Sequence, residues 1–207
     1  MDVDASVRTK YRNIVISGLP GAGSTTLGRQ IAERLGWKYF SGGEWMRAYA
    51  ITHHLFDGSQ KIHHDQSIIN DDIDRQMDYG MREHIATQNS CVYDSWLCGV
   101  LAQGAPDVLK VLMVCSDDAV RVDRLANRDQ LTISQAKKHI FDREKKNVDK
   151  WARMYAKEWQ EWVVAPGTVP KDKPTYFWYP EMYDMVVDTF KNSKEEAFQV
   201  VWNEVTR

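Results

Sequence analysis

Short apolar runs alternate with stretches of helical periodicity along most of this chain. Asn13-Ile14-Val15-Ile16-Ser17 is β-branched with no polar alternation and ends at Gly18, a pattern that predicts a strand buried on both faces. Over 25–35, Leu27, Ile31 and Leu35 share one helical face, and Gly36 follows where a C-cap needs left-handed backbone. Further strands are expected at 37–40, 91–93, 108–115 and 185–187. Helical spacing covers 44–53, 68–87, 119–127 and a charged stretch over 134–162 that is long enough to hold a break. A last helix over 193–205 opens on Ser193 with Glu196 three residues on, a capping box.

Strands alternating with helices predict an α/β fold, a parallel β-sheet with helices on both faces. No repeat or linker divides the chain, so a single domain is expected over 1–207, with a flexible lead at 1–10. Four of the six prolines fall within 165–180, which is expected to be an ordered loop or a lid extension.

Composition narrows the function classes. Hydrophobic residues at 43% and charged residues at 27% exclude a disordered or fibrous chain. A net charge of -2 offers no global attraction for a nucleic acid polymer, so any phosphate binding has to be local. No run approaches the roughly 18 apolar residues of a membrane span. The polar residues 1–10 lack the apolar core of a signal peptide, and the expected location is the cytoplasm. The three cysteines, Cys91, Cys98 and Cys115, lie in apolar surroundings without ligand spacing and read as buried free thiols. The pairs His53-His54 and His63-His64 read as solvent-facing rather than as a metal site, because no carboxylate spacing completes a ligand set.

The chemistry concentrates after the first strand, in Gly18-Leu19-Pro20-Gly21-Ala22-Gly23-Ser24-Thr25-Thr26. Glycines allow successive N–H groups to turn inward as an anion nest, and the helix that starts there adds its positive end. The segment therefore reads as a loop for the phosphates of ATP, held by Gly18, Gly21, Ala22, Gly23, Ser24, Thr25 and Thr26, with the Thr25 hydroxyl as a Mg²⁺ ligand. Ser24 stands where such loops carry lysine, so other groups must neutralise the phosphates. The competing reading is a tight structural turn.

Ser41-Gly42-Gly43-Glu44-Trp45-Met46-Arg47 follows the second strand and suits a second phosphate site. Ser41 is the candidate contact there, and Arg47 offers a bidentate fork. Asp94 ends the third strand, where ligands sit in open α/β sheets. It can hold Mg²⁺ through water, touch the acceptor or cap the next helix. Arg124 and Arg128 lie one helical turn apart and, with Arg143, suit closure over a transferring phosphoryl group; the competing reading is a solvated charged helix.

Taken together, GLPGAGSTT, SGGEWMR, Ile73-Asp74-Arg75, the strand ending at Asp94, RLANR, DRE with Tyr155, and 183–189 resemble the cytidylate kinase-like branch of the nucleoside monophosphate kinases, in the P-loop NTPase superfamily. No membrane partner is expected, and the chain is expected to be a monomer; the resemblance implies ATP and Mg²⁺ as cofactors and a nucleoside monophosphate acceptor of the CMP or dCMP type. It implies an acceptor-binding helical region over about 42–87 and a helical lid over about 128–160. It groups Arg124, just before that range, with Arg128 and Arg143 as arginines of the closing lid, with Arg128, Arg143 and Thr25 catalytic and Arg124 also on ATP. Ser41, Arg47, Asp74 and Asp94 are implied on the acceptor side, where Trp96 also falls by its position after the third strand, and Thr25 and Asp94 on the metal. Three departures stand out: Ser95-Trp96 replaces the family's Gly-Arg, Gly80-Met81 replaces an Arg-Gln pair, and about 163–182 falls in what reads as an insertion. They leave open a different small acceptor, or a catalytically weak nucleotide-binding regulatory protein.

Overall fold

The computed structural model describes residues 8–52 and 70–207, apart from the side chains of Arg47, Tyr49 and Ala50. Most of the expected lead and both histidine pairs lie outside these residues.

Among the described residues, five strands form one all-parallel sheet: β1 Asn13–Gly18, β2 Lys38–Ser41, β3 Cys91–Asp94, β4 Val108–Val114 and β5 Met185–Asp188, in the order β2-β3-β1-β4-β5. All six residues of β1 are buried, as expected for a central strand covered on both faces. Its period of two divides the core. Val15 faces a cluster with Tyr93, Leu112, Trp151 and Phe177, while Ile14 and Ile16 face one with Leu27, Ile31, Val111 and Val201.

The helices are α1 Ser24–Leu35, α2 Gly42–Thr52, α3 Asp71–Thr87, α4 Cys98–Leu101, α5 Asp118–Asp129, α6 Ile133–Lys137, α7 Arg143–Met154, α8 Ala156–Trp159 and α9 Lys194–Val205. Gly36 caps α1 at φ 66°, and the Ser193/Glu196 capping box opens α9. The second strand starts one residue later than expected, because the Trp37 N–H is taken by Ala32 O at 2.9 Å in the turn after α1. The long charged stretch is broken. A π-helical turn Lys138–Asp142 joins α6 to α7, and Tyr155, with its hydroxyl held by Asp78 at 2.6 Å, separates α7 from α8. Short α4 had no periodicity to announce it; all four of its residues are buried.

Half of the proline-rich stretch faces solvent, and its apolar side chains turn inward. Val169, Phe177 and Trp178 are buried against Trp151 and Trp159. The three cysteines are buried and free. At Gly99 a Cβ would lie 2.2 Å from the Tyr183 ring, whose hydroxyl is tied to Phe177 O at 2.8 Å. Gly99→Ala is therefore expected to destabilise the fold by about 3 kcal/mol. At this chain length that is a fall of roughly 6–12 °C in thermal midpoint, readable by calorimetry; an unchanged midpoint would show that Tyr183 yields freely.

Candidate functional site

The carboxyl ends of β1, β2 and β3 meet at one place. The register sets Asp94 beside both Ile16 and Ser41. The loop leaving β1 turns on Gly21 at φ 84° and Gly23 at φ 93°, where side chains are strained. Space adds a second constraint at Gly21, since a Cβ there would lie 2.8 Å from Arg121 O. Gly23 caps α1 without a side chain to satisfy the first-turn N–H groups, so that helix end presents its donors and dipole to the cleft.

Thr25 Oγ1 donates to Asp94 Oδ2 at 2.7 Å, and the Tyr39 hydroxyl donates to the same oxygen at 2.9 Å. Burial pushes the Asp94 carboxyl above its ordinary value, while hydroxyls of Thr25, Ser24 and Tyr39 pull it back. Tyr39 approaches this closely because its neighbour on α1 is Gly28, where a Cβ would lie 2.9 Å from the ring. Ser41 Oγ accepts the Glu44 N–H at 3.3 Å, holding the first turn of α2. A hard-oxygen pair of hydroxyl and carboxylate at the foot of an anion nest fits a Mg²⁺-nucleotide.

These groups open into a cleft of about 870 Å³ whose lining includes Ser41, Asp94, Trp96, Arg124, Arg128 and Arg143 together with most of the glycine-rich loop. Ala22 is buried beneath the loop rather than lining the cleft. Each arginine is held differently. Arg124 donates to Gly21 O at 3.1 Å, Thr189 Oγ1 at 2.7 Å and Thr189 O at 2.8 Å, so it is fastened to the loop's base. The resemblance had grouped it with the closing lid. Arg128 is 57% exposed and bidentate on Asp129. Arg143 lies over the Trp96 indole, 4.9 Å from the ring centre.

Two expected acceptor residues are not brought into view. The Arg47 side chain lies outside the described ones. Asp74 does not line the cleft; its carboxylate is buried on Lys150 Nζ at 2.7 Å, an ion pair between α3 and α7. The resemblance implied an acceptor contact, and the carboxylate meets a buried lysine here.

Sequence reasoning missed Arg121, Tyr39 and Thr189. Arg121 is 7% exposed and links Pro20 O at 3.2 Å to Glu144 at 3.0 Å, tying the loop to α7. It stands three residues before Arg124 on α5, and that spacing was its only signal. Asn147, one turn beyond Arg143, is fully enclosed, and neither its amide nitrogen nor its oxygen has a hydrogen-bond partner among the described residues.

Asp78 lies one turn from Asp74, and burial pushes its carboxyl up to about 7 from 3.8 despite the Tyr155 hydroxyl at 2.6 Å. An acid whose folded pKa exceeds its unfolded one binds more protons when folded, so stability falls as pH rises from about 4 to about 7. Asp78→Asn removes that loss and keeps an acceptor for Tyr155. Urea unfolding should find the variant more stable by on the order of 2 kcal/mol at pH 8 and indistinguishable near pH 4; no difference at pH 8 would contradict the assignment.

Comparison with known proteins places this geometry. The sequence model of the cytidylate kinase-like family matches residues 13–191. The chain is similar to a cytidylate kinase of Methanopyrus kandleri, 28% identical over 197 residues, 91% of this chain and 90% of that one. It is 33% identical to a cytidylate kinase of Methanocorpusculum labreanum over 144 residues, 69% of this chain and 77% of that one. Among solved structures, the shikimate kinase of Bacteroides thetaiotaomicron aligns with a TM-score of 0.51 at 14% identity, covering 93% of this chain and 96% of the other, a likeness of fold.

Proposed function

The chain belongs to the cytidylate kinase-like family, and from that premise we propose that it transfers the γ-phosphoryl group of ATP to a nucleoside monophosphate, with CMP or dCMP as the favoured acceptor. One observation carries the reading: a lysine-less glycine loop whose Thr25 hydroxyl meets Asp94 at 2.7 Å shares its cleft with Arg128 and Arg143. ATP phosphates would lie on the loop from Gly18 to Thr26, with the acceptor phosphate toward Ser41, Arg47 and Trp96. The helices over about 42–87 form the acceptor region and those over about 128–160 the lid. The segment over about 163–182 walls the acceptor side, and the protein works as a monomer.

An acceptor phosphate oxygen attacks the γ-phosphorus in line, the bond to the bridging oxygen breaks, and ADP leaves with that electron pair. No covalent enzyme intermediate forms, so this chain positions the reactants and neutralises charge. The first-turn N–H groups of α1 and the arginines receive charge spread over the equatorial oxygens. Thr25 and Asp94 are the residues that would hold Mg²⁺, which shields the β- and γ-phosphates when bound. Because Ser24 brings no charge, Arg128 and Arg143 carry a larger share of that neutralisation. Closure of the helical lid excludes water and so suppresses ATP hydrolysis.

A coupled assay of nucleoside monophosphates with ATP and Mg²⁺ tests the proposal, and CMP or dCMP should turn over fastest. Trp96 on the cleft wall favours one second reading, a kinase of another small acceptor. Silence across the panel with turnover of another small acceptor would establish that reading. Calorimetric ATP binding without turnover of any acceptor would instead identify a regulatory nucleotide binder.

A further inference from the structure

Trp96 occupies the lip of β3, and its indole meets three neighbours at once. Arg143 lies over the ring at 4.9 Å, Trp151 packs edge-on at 5.4 Å and Trp178 edge-on at 6.0 Å. Trp178 also donates its Nε1–H to Trp96 O at 3.0 Å. Trp178 is 4% exposed and belongs to the proline-rich stretch between α8 and β5, so that stretch fixes the indole from behind. We infer that Trp96 is a positioning residue that presents Arg143 to the transferring phosphoryl group, and that residues 165–180 are the buttress that keeps the indole in place. The inference rests on the phosphoryl-transfer reading above.

The physics favours this division of labour. An arginine side chain has many rotamers, and fixing it before reaction spares the transition state that ordering cost. A cation over an indole face is held through the flat side of the guanidinium, and the contact does not consume the in-plane N–H fork that a phosphoryl oxygen needs. The first turn of α7 is independently oriented toward the loop, since Glu144, the residue after Arg143, pairs with Arg121, which in turn donates to Pro20 O. Ser24 supplies no side-chain cation, which makes the placing of Arg143 matter more.

A double-mutant cycle tests it, with kcat measured at saturating ATP and acceptor. Trp96→Leu should lower kcat about tenfold in the wild-type background and less than about twofold in Arg143→Ala, because an indole acting through Arg143 has nothing left to position. Trp96→Phe, which keeps a π-face, should restore most of the loss. Trp178→Phe, which deletes the Nε1 donor, should give a smaller loss that also disappears in Arg143→Ala, and it serves if Trp96→Leu does not fold. Equal losses in both backgrounds, or an effect confined to the KM of the acceptor, would overturn the inference. If no acceptor turns over, the kinase reading has failed, and tryptophan emission then decides the pairing separately. Arg143→Ala should shift the emission of the otherwise native protein and leave that of Trp96→Phe unchanged; equal shifts in both would overturn the pairing.

Discussion

Arg143→Ala should lower kcat by about a thousandfold while leaving the KM for ATP within a few-fold of wild type. A guanidinium that meets the equatorial oxygens only as charge spreads over them stabilises the transition state more than the ground state, so its removal appears in kcat. Arginines in that role contribute on the order of 10³ or more in phosphoryl transfer. The structure favours Arg143 as the larger contributor, because its side chain is set over the Trp96 ring on the cleft wall. Arg128 is 57% exposed and must exchange its bidentate bond to Asp129 for the phosphoryl group. Arg128→Ala should therefore cost about a hundredfold. Steady-state kinetics decide both, and a loss below tenfold at either position would remove that arginine from the mechanism.

Asp94→Asn should separate activity from stability. Its carboxylate is buried under the Thr25 and Tyr39 hydroxyls, and burial pushes it above the ordinary carboxylate value. The folded state thus holds the charged form at a disadvantage, and stability falls as pH rises from the ordinary value through the elevated one. A neutral amide of the same size relieves that disadvantage, so the variant should melt no lower than wild type at pH 8. The same substitution removes the negative charge that would hold Mg²⁺ beside Thr25. The Mg²⁺ concentration giving half-maximal rate should rise by about 10- to 100-fold, the range seen when an outer partner of a metal is lost. A variant with unchanged Mg²⁺ dependence would show that Asp94 does not serve the metal.

How far the site was legible follows from the range of the interactions involved. Gly18 to Thr26 were readable because their signals are contiguous in the chain: a buried run before, left-handed glycines within and a helix after. Asp94 was readable because a strand's end is a place the topology marks. Asp74 was not, since an aspartate on a helix looks the same whether it faces a ligand or a lysine 76 positions away. Arg124 and Arg128 carry the same sequence signal, yet one is fastened to Thr189 and the other lies in solvent on Asp129.

By itself the sequence determined the α/β order of elements, the ends of α1 and α9, and the glycine-rich turn between β1 and α1, because each depends on backbone preferences and on periodicity within a few turns of chain. Only the tertiary structure decided which arginines reach the cleft, that Trp96 lies beneath Arg143, and that Phe177 and Trp178 pack against Trp151. Local pattern records that a side chain is buried or charged. Its partner is chosen by sheet order and helix packing, which bring together residues that no short window of sequence contains.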